Sequence, residues 1–364
     1  MPISIHLFLF ALVACLPATA ADPPAKKASH AIATVESSLK SAGGQIRQFA
    51  LDGDTNTFFA SEKNPGKDDY FTLKFDQPVD IKQIDLWTGR PNGDDFLGSG
   101  VLEVSSDGKT FKENATLSWR ATRAGVETLV FEKGKLPPKV QAVRIKPGEQ
   151  EHPLVIREIK IDSEPPVAVF KYPIEIALDV SDAPEMKEWG EKVVRICEGA
   201  YPMINEELKS DGFKPATQIT MTLKKDYRGV AATGGTRITG SAKFFQDHPD
   251  DVGAMVHETV HVVQRYRTRN NPGWLVEGIA DYVRFFKFEP GKIGRINPDR
   301  VKYNGSYRVT AAFLNYATEK YDKDLVKKLN KAMRDGEYKE ELWKDFTKKT
   351  VQELDEEWRA SLKK

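Results

Sequence analysis

The spacing of apolar residues changes once along the chain. Up to about residue 163 apolar and polar positions alternate in short runs at 70–75, 79–81, 84–86, 101–104, 126–131, 142–145 and 156–161. Successive side chains of a strand point to opposite faces, so a period of two predicts strands with one buried face. Turn signals separate the runs at Asp52-Gly53, Pro91-Asn92-Gly93-Asp94, Asp107-Gly108 and Pro147-Gly148. Many short strands with regular turns predict an all-β sandwich or jelly roll over 30–163. The prolines of 164–171 read as a linker, which predicts that the two halves fold independently. Strands are expected next at 174–180, 219–223 and 236–241, with a flexible Gly/Ala loop at 229–235. No Gly-Lys-Ser/Thr follows that loop, so it is not a phosphate loop.

The remaining pattern is helical. Asp182 and Pro184 predict a helix start, Gly212 lies beyond its end near 208, and Pro202 should kink or break it. Pro249-Asp250-Asp251 opens a helix to 264, and Asn271-Pro272 caps another to 282. Apolar spacings of three and four continue at 307–321, 324–334 and 337–348, and Thr350-Val-Gln-Glu353 is a capping box for a last helix ending near 362. The result is a two-domain chain, all-β and then α+β over 172–364.

Composition adds limits. The net charge of +1 over 364 residues gives no reason to invoke nucleic acid. Residues 1–21 read as a signal peptide, with an apolar run at 7–13 and small residues at 18–20, though without Lys or Arg at its start. A secreted or periplasmic protein is expected. The alternative is a lipoprotein box, Leu12-Val13-Ala14-Cys15, which would anchor the chain through Cys15. Residues 22–29 read as a tether, and no later stretch is apolar enough to span a membrane. Cys197 is the second of two cysteines; its apolar neighbours predict a buried thiol, and the exported chain has no internal disulfide.

The chemistry sits in His257-Glu258-Thr259-Val260-His261. On a helix, residues four apart share a face, so both imidazoles can reach one metal ion. Glu258 then lies beside the metal, where a general base has to be. Glu277 and Asp281 are also four apart, in an apolar frame that favours burial. Glu277 can complete a site of two His and one Glu, while Asp281 can accept the free N–H of a ligating imidazole. The competing reading is two unrelated histidines and a surface acid pair. A phenol from Tyr307 or Tyr303 can serve a developing oxyanion, though packing is the default role. The short strand before the metal helix is placed to pair with an extended peptide.

H-E-x-x-H followed by E-x-x-x-D resembles the gluzincin class of zinc peptidases. The metzincin pattern fails, because it needs Gly and His where Gln264 and Arg267 stand. Residues 256–264 with 272–282 and 306–314 closely resemble the basic secretory protein family of metallopeptidases, over about 172–362. That resemblance implies a zincin-like fold and Zn²⁺ but does not carry over a substrate; a peptide or glycoprotein substrate is expected from the site itself. Asp52-Gly53-Asp54-Thr55-Asn56-Thr57, residues 70–78 and Ser105-Ser-Asp-Gly-Lys-Thr-Phe111 resemble the discoidin or galactose-binding-like family. That resemblance implies a glycan or cell-surface ligand and a structural Ca²⁺ at Asp52, Asp54, Thr57 and Glu158. An ion-free loop capped by its own Asp side chains is the other reading. Trp87, Arg90, Trp119 and Arg120 are candidates for a sugar site, with packing as the alternative. Three functions are thus open: a secreted zinc metallopeptidase with a binding module, a binding protein whose C-terminal metal is inert, or a zinc hydrolase that acts on another bond.

Overall fold

The computed structural model describes residues 30–118, 126–130, 136–266, 270–305 and 307–363. The leader with Cys15, the tether 22–29, Trp119, Arg120 and Arg267 lie outside the described residues.

The N-terminal half is a β-sandwich. Its strands are β1 (Ala33–Ser37), β2 (Phe59–Ala60), β3 (Phe71–Thr88), β4 (Ser99–Ser105), β5 (Lys112–Ser118), β6 (Val126–Val130), β7 (Val140–Pro147) and β8 (Val155–Glu164). All their pairings are antiparallel. The sequence predicts three strands where β3 runs unbroken for 18 residues. Its first half pairs with β1 and β7, and its second with β6 and β8. The register slips between Lys74 and Val79, around Pro78, which has no N–H for the ladder. One strand therefore serves both layers. Its alternate residues Phe71, Leu73, Phe75, Ile84 and Leu86 are buried in the core between them.

The C-terminal half has a second, separate core. Its strands are β9 (Glu175–Asp179), β10 (Gln218–Lys224), β11 (Ala231–Gly234) and β12 (Arg237–Ser241). They form one sheet in the order β11-β12-β10-β9, parallel except for the β11–β12 hairpin. The helices are α1 (Lys187–Glu207), α2 (Ala242–Asp247), α3 (Gly253–Gln264), α4 (Gly273–Val283), α5 (Tyr307–Lys320), α6 (Leu325–Asp335), α7 (Leu342–Thr347) and α8 (Val351–Ser361). The Thr350–Glu353 capping box of α8 is present. No helix among the described residues is long and apolar enough to cross a membrane.

Several local expectations are corrected. The loop at 229–235 contains β11, the outermost strand of the sheet, so the strand expected at 236–241 to pair with a peptide is β12, already paired on both sides by β11 and β10. α1 continues through Pro202, because Val193, Val194, Cys197, Tyr201 and Ile204 are all buried along one face. Each such side chain contributes about 1.5–3 kcal/mol, against about 3 kcal/mol for an interior proline. Asp182 caps no helix; its Oδ2 accepts the Lys225 N–H at 2.8 Å. Asn271 likewise donates to the Met333 carbonyl at 3.0 Å, and Pro272 stands at the N-cap of α4. α3 starts at Gly253 with no acid in its first turn, since Asp251 is held by Arg284. Of 337–348 only 342–347 is α-helical.

The segment 164–171 is not a free tether. Glu164 is the last residue of β8, and the Ala31 N–H donates to Pro166 O at 2.8 Å. Ala168 and Phe170 then bond to Ala31 O and Leu51 O, each at 2.8 Å. Beyond it the sandwich covers the free edge of β9. The Glu175 N–H bonds into the sheet at Thr217 O, so the Ile174 and Ile176 amides face outward. The first donates to Gln48 Oε1 at 2.8 Å, the second to Glu198 Oε1 at 2.9 Å. Arg47 bridges Glu175 and Glu198 at 3.2 and 3.4 Å.

Candidate metal centre

α3 puts His257 and His261 on one face, and the packing of α3 on α4 brings Glu277 opposite them. Gly278 allows α4 to lie close on α5: a Cβ there would stand 2.0 Å from Thr310 Cγ2. The two imidazole Nε2 atoms are 3.0 Å apart. Glu277 Oε2 lies 3.2 Å from His257 Nε2 and 3.1 Å from His261 Nε2. These three residues are the one group of His, Cys, Asp and Glu donors that converges in this way among the described residues.

The outward ring nitrogens are occupied. His257 Nδ1 lies 2.7 Å from Asp281 Oδ1, and His261 Nδ1 lies 2.6 Å from Gln264 Oε1. Gln264 is itself fixed, donating to Val276 O at 2.8 Å. With the Nδ1 protons committed to those oxygens, both Nε2 lone pairs point at Glu277. Two lone pairs and a carboxylate cannot bond one another without a cation or a proton between them. Bonds of 2.0–2.1 Å to a tetrahedral ion put neighbouring ligand atoms about 3.3 Å apart, close to the separations found. The donor set therefore fits a zinc-type ion. Without a metal, a proton takes that place. Burial opposes a charged His257, but Asp281 and Glu277 outweigh it and push its pKa up to about 9. Burial likewise opposes a charged Glu277, but both histidines hold it down at about 2.

Glu258 is buried beside the ligands. The Thr233 hydroxyl on β11 contacts its Oε2 at 2.7 Å and its carbonyl at 2.9 Å. Tyr307 is exposed on the cleft wall, its ring 5.9 Å from that of His257, and the Glu277 charge and burial raise its phenol pKa. Tyr303 packs instead: its ring lies 5.0 Å from Trp274 and 5.6 Å from Phe313. Cys197 is buried, and desolvation pushes its thiol up to about 12. The cleft in front of these groups has a volume of about 980 Å³, with β11 as one wall. Sequence reasoning missed Thr233 and the orienting role of Gln264. A hydroxyl in a Gly-rich loop carried no signal, but Gln264, three residues past a ligating histidine, did.

Residues 185–358 match the family model described as peptidase of plants and bacteria, and residues 32–159 match that of the F5/8 type C domain. The chain joins an F5/8 type C domain to a BSP-family peptidase domain. No curated protein matches it. Among solved structures, CBM32-1 from a family 31 glycoside hydrolase of Clostridium perfringens is 21% identical. The match covers 35% of this chain and 92% of that one, at a TM-score of 0.31. A family 32 CBM from C. perfringens NanJ, in complex with galactose, is 14% identical. That match covers the same shares, at a TM-score of 0.30.

In the F5/8 type C domain, the loop at 52–57 is closed by its own side chains. Asp52 accepts the Asp54 N–H at 3.0 Å and the Thr57 hydroxyl at 2.8 Å, and Asp54 accepts the Asn56 N–H at 2.9 Å. Glu158 accepts the Gly53 N–H at 3.0 Å. The three carboxylates do not converge as the ligands of the peptidase domain do. Burial, and then the Asp52 charge, raise Glu158 to about 7 against the Gly53 hydrogen bond. Trp87 is half-buried opposite Glu158, and Arg90 is ion-paired to Asp95.

Proposed function

We propose that the protein is an exported zinc-dependent peptidase whose F5/8 type C domain holds a glycan or cell-surface ligand. One observation carries the reading: the Nε2 atoms of His257 and His261 meet Glu277 Oε2 while both Nδ1 atoms are engaged elsewhere. His257, His261 and Glu277 would hold a zinc ion, which would supply Lewis-acid polarisation of water and of the scissile carbonyl. The rest is done by the chain itself. Glu258 takes the proton of the attacking water and returns it to the leaving amine. Thr233 keeps that carboxylate turned into the cleft. Asp281 and Gln264 keep the imidazoles in the ligating tautomer. Tyr307 donates a hydrogen bond to the carbonyl oxygen as charge develops. β11 offers an unpaired edge to which an extended peptide can add as a strand. In the sandwich, the internal hydrogen bonds of the 52–57 loop support the ion-free reading of Asp52, Asp54, Thr57 and Glu158 over Ca²⁺.

The test is Glu258→Gln, which keeps size and hydrogen bonding but cannot take a proton near neutral pH. The variant should keep about one zinc per chain by elemental analysis and lose about 10²- to 10⁴-fold in peptide hydrolysis. Parent-like cleavage by the variant would remove Glu258 from the mechanism. Zinc binding without cleavage by the parent would leave a binding protein.

A further inference from the structure

The charged groups of the cleft are paired with two exceptions. Glu277 faces both imidazoles, Asp281 holds His257, and Glu258 meets Thr233. Asp251 is bound by Arg284, whose Nε lies 2.6 Å from Glu289. Arg265 and Arg308 also line the cleft, are exposed, and form no ion pair among the described residues.

The two stand at opposite ends of the helix that carries His257 and His261. Arg265 terminates α3 in a left-handed conformation, φ 42°. Arg308 stacks on Phe285, 5.0 Å from the ring centroid, and Arg284 covers the same ring at 4.6 Å. Arg284 in turn lies against Gly253, the first residue of α3, its Nε 2.7 Å from where a Cβ would be. Twelve residues of α-helix measure about 18 Å, the span of about five residues of extended peptide. A bond cleaved near the middle of α3 thus has a guanidinium within about two or three residues on either side. Arg308 is the better anchor. Its planar group lies over an aromatic face, so less side-chain freedom is lost on binding, and its N–H donors, which form no ion pair among the described residues, suit a carboxylate.

We propose that Arg308, with Arg265 at the far end, makes this cleft select peptides bearing Asp or Glu within about three residues of the cleaved bond. The proposal rests on the peptidase reading and adds its substrate class.

The experiment uses the full zinc-loaded chain carrying Glu258→Gln, so that peptides bind without being cut. Two fluorescent peptides differing only by Asp against Asn are titrated at low and high salt. The Asp peptide should bind about three- to tenfold more tightly at low salt and lose most of that advantage at 1 M salt. Adding Arg308→Ala should bring the ratio near one, and Arg308→Glu should reverse it toward a Lys peptide. In parallel, a peptide-library digest by the chain with Glu258 intact should place acidic residues near the cuts, and Arg308→Glu should place basic ones there. Equal binding of both peptides, or a preference that survives Arg308→Ala, overturns the selection and leaves the peptidase reading standing. A chain that binds and cuts neither peptide overturns both.

Discussion

Arg47→Met separates one mechanical unit from two domains on a string. The Arg47 guanidinium comes from the sandwich but lies between two carboxylates of the peptidase domain, 3.2 Å from Glu175 and 3.4 Å from Glu198, with only 12% of its side chain exposed. Burial raises the Glu198 pKa, and Arg195 and then Arg47 oppose that effect. Methionine keeps the aliphatic stem and removes the charge. Glu198 would retain Arg195 and the Ile176 amide, while Glu175 would retain the Ser41 hydroxyl and the Arg47 amide. Removing one partner of a buried pair costs about 3–5 kcal/mol when the other is left alone. The surviving partners reduce this to about 2–3 kcal/mol. In a domain of this size each kcal/mol moves the melting temperature by about 2–4 °C, so a drop of about 4–12 °C is expected. Scanning calorimetry, with the sandwich and peptidase transitions assigned by limited proteolysis, should show the peptidase transition falling. A change below about 0.5 kcal/mol would refute the coupling. By the same argument a chain beginning at Pro166 loses Arg47 and Gln48, exposes the β9 edge and should aggregate. The prolines at 165 and 166, read alone, suggest the reverse.

Four further outcomes are expected. Glu277→Ala should lose most of the bound zinc by elemental analysis, and full retention would move the third ligand elsewhere. Asp281→Asn should keep the fold and weaken zinc affinity or activity about 10- to 100-fold, measured by competition with a chelator and by turnover. Gly278→Ala forces Thr310 away from a Cβ that would sit 2.0 Å from its methyl, so it should lower zinc occupancy without touching a ligand. For Glu158, a folded pKa of about 7 above an unfolded 4.5 means the folded state binds more protons between those values. Sandwich stability should therefore fall, by on the order of 2 kcal/mol, as pH rises from about 4.5 to 7, and Glu158→Gln should remove most of that slope.

What was legible in the sequence is what is local. The candidate ligands His257 and His261, and the pair Glu277 and Asp281, are each four apart on one helix, so periodicity alone aligns them. Alternation likewise located the sandwich strands. The misreadings share one cause, a local signal overridden by a distant partner. Asp182 and Asn271 have the chemistry of helix caps but spend it on Lys225 and Met333, 43 and 62 residues away. Pro202 and Pro78 carry breaking signals that core packing absorbs in α1 and β3. Thr233 reaches Glu258 across 25 residues and Arg47 reaches Glu198 across 151, distances over which no spacing rule operates.

The two edges of the four-stranded sheet explain why both halves of the chain belong together. A parallel sheet leaves unpaired amides along each outer strand, and an open edge invites pairing with any extended chain. At the start of β9 the edge is covered: Gln48 from the sandwich takes the Ile174 amide, Glu198 from α1 takes the Ile176 amide, and Arg47 ties that cover down. At β11 no further strand pairs among the described residues, and this is the edge whose Thr233 meets Glu258. Under the proposed function a peptide can then add to the sheet at one place only, beside the general base and the converging ligands. Gln48 and Arg47 of the sandwich thus lie against the β9 side of the sheet, away from the β11 side where the cleft lies.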